Sequence, residues 1–141
     1  MTSTQHNIAW FRYTAPYIKA HRGSTFVVYL GNGCLNAPTL ITLIHDLALL
    51  HSLGVRLVLV HATRGAIDER LSMSGRPATF HQGIRVTDDA TLALASDVAS
   101  QQCLKLEQLI SMGLPNTPLR GARLRVMSGN IVTAKPLGIH E

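Results

Sequence analysis

The stretch TFVVYLGNGCLNAPTLITLIHDLALLHSLGVRLVLVHA, residues 25–62, decides the fold. It opens with TFVVYLG (25–31), a short run rich in β-branched and aromatic residues. Its unbroken apolar character predicts a strand buried on both faces. From Pro38 to Leu53 the apolar positions Leu40, Ile41, Leu43, Ile44, Leu47, Leu50 and Leu53 recur at helical spacing. Gly54 closes that helix, and VRLVLVHA (55–62) reads as a second buried strand. A strand, a helix and a strand in this order predict a parallel pair joined by a right-handed crossover.

Working outward, AWFRYTAPYIKAH (9–21) places Trp10, Tyr13 or Thr14, Tyr17 and Ile18 at near-helical spacing. Pro16 interrupts the pattern, which predicts a short kinked helix or two separate turns. RGAIDERLSMSG (64–75) predicts a helix ending at Gly75. ATFHQGIRVT (78–87), with Gly83, predicts a β-hairpin or an irregular flap. DDATLALASDVASQQCLKLEQLISMG (88–113) is a long helix capped by Thr87 or Asp88, and Asp88 and Asp89 suit the positive end of its dipole. Its apolar face is Leu92, Ala95, Val98 or Ala99, Gln102 or Cys103, Leu106, and Leu109 or Ile110. RLRVM and IVTAK, joined through Ser128-Gly129-Asn130, predict a second hairpin. The order β, α, β, α, hairpin, α, β, β defines an α/β sandwich.

Composition bounds the function. The chain has 141 residues, 46% of them hydrophobic, so one domain with a real core is expected. No apolar run reaches the roughly 18 residues of a membrane span, and the N-terminus lacks the apolar segment of a secretory signal. The two cysteines, Cys34 and Cys103, form no metal or redox motif and suit a reducing cytoplasm. The net charge of +5 invites nucleic acid. The basic residues are scattered singly, however, and the cluster Arg120, Arg123 and Arg125 reads as a solvated face rather than a polyanion site. Nucleic acid and membrane are therefore not expected partners. The seven histidines form no ligand set, so no metal is expected.

Three places could bind an anion. LGNGCL (30–35) is a strand-to-helix turn of the kind whose N–H groups cradle phosphate, but it matches neither GxxxxGK[ST] nor GxGxxG. In VHATRGAID (60–68), Arg64 either helps hold a carboxylate or pairs with Asp68 one helical turn on. In IRVTDDATL (84–92), Arg85 precedes a helix start, and is either a carboxylate contact or a surface arginine beside a capped helix.

Five strings extend these readings: FRYTAPYIKAHRGSTFVVYLG (11–31), HDLALLHSLGVRLVLVHATRGAIDERL (45–71), IRVTDDATLALA (84–95), SMGLPNTPLRGARLRVMSGN (111–130) and AKPLG (134–138). In this order they resemble the amino-acid kinase fold, and within it the N-acetylglutamate synthases of arginine biosynthesis. The resemblance implies a three-layer α/β sandwich of the carbamate kinase-like type, of which this chain is the N-terminal half. Residues 1–24 would form an N-terminal helical segment and residues 25–141 a partial kinase-like domain, with the acetyltransferase domain absent.

Related acetylglutamate kinases carry a lysine in the first strand and glycine runs at both turns. Here Tyr29 stands at the lysine position, and Asn32, after Gly31, stands at the second glycine of the pair. Ala62-Thr63-Arg64 replaces the later glycine run. Without that lysine and those N–H groups, phosphoryl transfer is not expected. The resemblance implies a regulatory role, with no catalytic residue and no cofactor held by these residues. The full-length family joins acetyl-CoA, its co-substrate, to L-glutamate and is inhibited by L-arginine. Arg85 matches a carboxylate contact of the kinases. Tyr17 matches an effector or oligomer contact, and the helix 88–113 with the N-terminal segment implies a homo-oligomer. A free-standing amino-acid-sensing or oligomerisation module, and a remnant acetylglutamate kinase, are the rival readings. A half-domain would also leave a sheet edge and an apolar face uncovered.

Overall fold

A computed structural model describes residues 3–112, 124–129 and 138. Helix α1 (Ser3–His21) leads into strand β1 (Thr25–Leu30), a single 3-10 turn (Cys34–Asn36) and helix α2 (Leu40–Ser52). Strand β2 (Arg56–His61), helix α3 (Arg64–Met73), the short strands β3 (Phe80–His81) and β4 (Ile84–Arg85), and helix α4 (Asp89–Ser111) follow. The molecule is α/β. β1 and β2 pair in parallel from Thr25↔Arg56 to Leu30↔His61, as the strand–helix–strand reading requires.

The core lies on one face of this pair. Leu30, Leu35, Leu40, Ile44, Ala48, Leu106 and Ile110 form a buried cluster joining β1, α2 and α4, with Val28 and Leu59 packed against it. A second cluster, Ile67, Leu71 and Val98, seals α3 to α4. The opposite sheet face is bare: Val27 and Tyr29 are each 68% exposed, and their register partners Val58 and Val60 are exposed too. This corrects the expectation of strands buried on both faces. The apolar run was read as two-sided burial, but among the described residues nothing packs on the second side. An uncovered apolar face was the other expectation, and it is what the structure shows.

Helix α1 also departs from expectation. It is one helix of 19 residues that continues through Pro16, starting well before residue 9. Proline removes the N–H that would bond to the Arg12 carbonyl, and both residues lie on exposed turns where that loss is cheapest. Trp10, Phe11, Tyr13 and Tyr17 are all exposed. The end of α1 is pinned to the α2–β2 turn: the Gly23 N–H donates to the Gly54 carbonyl (2.8 Å), and Arg56 Nη2 donates to the Gly23 carbonyl (2.9 Å).

The segment 78–87 is a true hairpin, Phe80↔Arg85 and His81↔Ile84, turned by Gln82 (φ 48°) and Gly83 (φ 80°). Both turn residues have positive φ, as a tight two-residue hairpin turn demands. Of the two capping candidates for α4, Asp88 serves: its carboxylate accepts from the Thr91 N–H at 2.7 Å. On the apolar face of α4 the buried residues are Thr91, Val98, Leu106 and Ile110, while Leu92 is exposed. The expected second hairpin falls mostly outside the described residues. Its described part, 124–129, is not a strand; Leu124 and Val126 turn inward and pack on the main cluster, while Arg125 and Met127 face out. Arg120 and Arg123 lie outside the described residues.

Candidate functional site

The parallel pairing brings two strand-to-helix turns side by side. β1 and β2 end in register, and the Ala62 N–H continues the ladder to the Leu30 carbonyl at 2.8 Å. From those ends leave Gly31-Asn32-Gly33 on one side and Ala62-Thr63-Arg64-Gly65 on the other. Gly33 takes φ 80°, a conformation that favours glycine, and starts the 3-10 turn. Lys105 of α4 holds that turn in place: its Nζ donates to the Leu35 carbonyl (2.8 Å) and to Asn32's neighbour-but-three, Asn36, at Oδ1 (3.0 Å).

The two turns touch through one hydrogen bond. The Gly65 N–H, in the first turn of α3, donates to Asn32 Oδ1 at 3.2 Å. Thr63, at the cap position of α3, makes no side-chain capping bond, and the first turn of α3 holds no acidic residue. Tyr29 lies on the bare sheet face, exposed. Of Tyr29, Gly31, Asn32 and Arg64, only Asn32 reaches across to the helix that Arg64 opens.

Arg64 and Arg85 converge, which their spacing does not reveal. Their guanidinium carbons lie 5.0 and 5.1 Å from the Phe80 ring centroid. A guanidinium against an aromatic face gains cation–π attraction. Arg64 does not form the ion pair with Asp68 that helical spacing offered. Asp68 pairs instead with Arg85, whose Nη2 donates to its Oδ1. Arg85 is not a surface arginine: its side chain is only 13% exposed, and its Nη1 is buried with no hydrogen-bond partner. Tyr17 is remote in sequence and fully on the exposed helix α1.

Phe80 is the residue sequence reasoning missed, and Asp68 was offered the wrong arginine. Phe80 carried the signal of an aromatic beside a hairpin turn; Asp68, the fifth residue of α3, turns to the hairpin's Arg85 instead of Arg64. Two open clefts, of about 390 and 310 Å³, flank α3 without including Arg64 or Arg85. The first is lined by Arg76, Asp88 and Thr91; the second lies between α3 and α4 over Ala66, Met73 and Val98. Among the described residues, no group of three His, Cys, Asp or Glu side chains could hold a metal ion. None of the described helices is long and apolar enough to cross a membrane.

The fold and site define an α/β protein with a parallel strand crossover and two strand-to-helix turns set side by side. Over this span the chain is homologous to the amino-acid acetyltransferases, the N-acetylglutamate synthases. It is 47% identical to those of Pseudomonas fluorescens and Pseudomonas putida, and 46% identical to that of Pseudomonas syringae pv. syringae, each over 134 residues. Those matches take in 95% of this chain and 31% of each relative, so the chain spans under a third of the length of these curated relatives. The N-acetylglutamate synthase of Neisseria gonorrhoeae, solved with coenzyme A and L-arginine, superposes with a TM-score of 0.81 at 34% identity, over 95% of this chain and 31% of that one. Its structure with coenzyme A and N-acetyl-glutamate gives 0.76 at the same identity, over 95% and 30%. No protein-family model matches the chain.

Proposed function

We propose that this chain is part of the kinase-like regulatory domain of an N-acetylglutamate synthase. It would be the N-terminal half of a three-layer sandwich of the carbamate kinase-like type, with residues 1–24 as a helical extension and 25–141 as the partial domain. The observation that carries this reading is the 134-residue match at 47% identity, together with the TM-score of 0.81 to a synthase solved with L-arginine. The whole reaction moves the acetyl group of acetyl-CoA to the amine of L-glutamate, in polypeptide these residues do not span. These residues supply regulation rather than chemistry.

The site supports that division of labour. Tyr29 stands exposed where a phosphoryl-transfer lysine would be needed, and the N–H of Gly65 is already engaged. Arg85 is the candidate carboxylate contact, because its buried Nη1 still has a donor to give. L-arginine is the candidate effector, and Tyr17 on α1 its candidate contact or an oligomer contact. The exposed aromatics of α1 and the exposed Leu92 and Leu104 of α4 suit a homo-oligomer built on those helices. A cytoplasmic location goes with a biosynthetic role.

The test is direct. The purified chain should neither hydrolyse ATP nor acetylate L-glutamate from acetyl-CoA. In calorimetry it should bind L-arginine or N-acetylglutamate, weakly and without nucleotide. Acetylation of glutamate by these residues alone, or turnover of ATP, would overturn the reading.

A further inference from the structure

We propose that Arg64 and Arg85, gathered on Phe80, form a two-point site for a small dicarboxylate. The inference rests on the reading of Arg85 as a carboxylate contact and deepens it; Arg64 and Phe80 are the added members.

Two guanidiniums share one aromatic ring. That of Arg64 lies 5.0 Å from the Phe80 centroid and that of Arg85 5.1 Å, so the two charges stand within about 10 Å of each other. Asp68 pairs with Arg85 through Nη2. Among the described residues Arg64 has no hydrogen bond or ion pair, and its contact is the ring. Arg85 Nη1 is buried and has no acceptor. The cluster thus sets two positive charges against one negative, and both guanidiniums keep unused donors. A buried donor without a partner is costly, so an acceptor brought by a ligand is rewarded here.

The placement favours an anion as well. Arg64 opens α3, whose start is the positive end of the helix dipole. It follows the C-terminal end of β2, the end of a parallel sheet at which ligands are taken. A guanidinium fork matches a carboxylate, two N–H groups to two oxygens. Two such forks packed on one ring suit two carboxylates joined by a short apolar chain, and Phe80 is 40% exposed, so part of the ring is free to meet the methylenes. A phosphate has no apolar part to set against it, and L-arginine would bring a third guanidinium. Arg64 is exposed and is met first. The free nitrogen of Arg85 opens with a small movement of the β3–β4 hairpin, which pairs over two residues in each strand.

The experiment is calorimetry of the chain with glutarate, butyrate, inorganic phosphate and L-arginine, repeated on Arg64→Gln and Arg85→Lys. Glutarate should bind the unaltered chain about tenfold more tightly than butyrate or phosphate, the factor a second charge-assisted contact supplies. L-arginine in excess should not displace it. Arg64→Gln should bring glutarate down to the affinity of butyrate. Arg85→Lys keeps the charge but loses the fork, and should weaken glutarate by a similar factor. Arg64→Gln changes an exposed side chain and decides the matter even where Arg85→Lys does not fold. Glutarate binding no tighter than butyrate or phosphate, displacement by L-arginine, or affinity untouched by Arg64→Gln would each overturn the proposal. None of these is acetylation or ATP turnover, the results that overturn the regulatory reading.

Discussion

Asp68 and Arg85 are joined across α3 and the β3–β4 hairpin, 17 residues apart, by an ion pair in which the arginine is the buried partner. Asp68 is half exposed, so the pair sits at the edge of the core rather than inside it. The guanidinium is also packed on Phe80, and one of its nitrogens is buried without an acceptor. That leaves Asp68 as the counter-charge to a nearly buried cation.

Replacing Asp68 by Asn should therefore cost more than a surface ion pair would. A hydrogen bond to a charged group contributes about 1.5–3 kcal/mol, and removing the carboxylate leaves the Arg85 charge uncompensated. The midpoint of urea unfolding should fall accordingly, with an unchanged slope. Asp97, which pairs with the half-exposed Arg70, is the control, and its replacement should cost at most about 1 kcal/mol.

Asp88 should give the molecule an acid-sensitive helix start. The Thr91 hydroxyl and then the Thr91 backbone N–H hold its carboxyl below the ordinary value of 3.8; desolvation opposes them, and the Arg76 guanidinium adds a smaller lowering. The folded chain thus binds this proton less readily than the unfolded one. The resulting stability is complete above the ordinary carboxylate range and lost as the pH falls through the folded value. Between about pH 5 and pH 2 the wild type should lose stability more steeply than Asp88→Asn, which still offers an acceptor to Thr91 but cannot titrate. Thermal melts across that range check the difference in slope.

Ile44 should be a core anchor. It is 3% exposed, on the face of α2 that meets β1 and α4. Truncation to Ala removes buried methyl groups and leaves a cavity, a loss of about 2–5 kcal/mol. A domain holds only about 5–15 kcal/mol in total, so this variant should unfold at much lower denaturant.

Val27 and Val60 should behave in the opposite way. Both lie on the bare sheet face, so Val27→Lys and Val60→Lys should shift stability by no more than about 0.5 kcal/mol. They should reduce concentration-dependent self-association, because they break up a patch that is apolar and exposed among the described residues. Sedimentation velocity measured against concentration, beside thermal melts, separates the two effects.

Several features were legible along the chain because they depend on near neighbours. The α2 periodicity from Leu40 to Leu53 and the capping by Asp88 are local patterns, and so is the turn at Gly83. Each rests on backbone geometry that a few residues determine. The parallel pairing of β1 with β2 follows from the strand–helix–strand order. The continuous α1 was misread because a proline's local cost was weighed without its setting on an exposed helix.

The sequence by itself determined the order of β1, α2, β2, α3, the short hairpin and α4, and the likeness of this span to the amino-acid acetyltransferases. Only the tertiary structure decided which face of β1 and β2 is covered, which carboxylate answers Arg85, and what occupies the start of α3. Those facts are contacts between residues far apart in the chain: Leu30 clustered with Leu106 and Ile110, Asp68 with Arg85, and Asn32 with Gly65. An apolar run is the same string of letters whether one of its faces is packed or two. An asparagine in a turn is likewise the same letter whether it meets solvent or caps the next helix. The pairing of the two strands brings the partners together, and with it the choice is made.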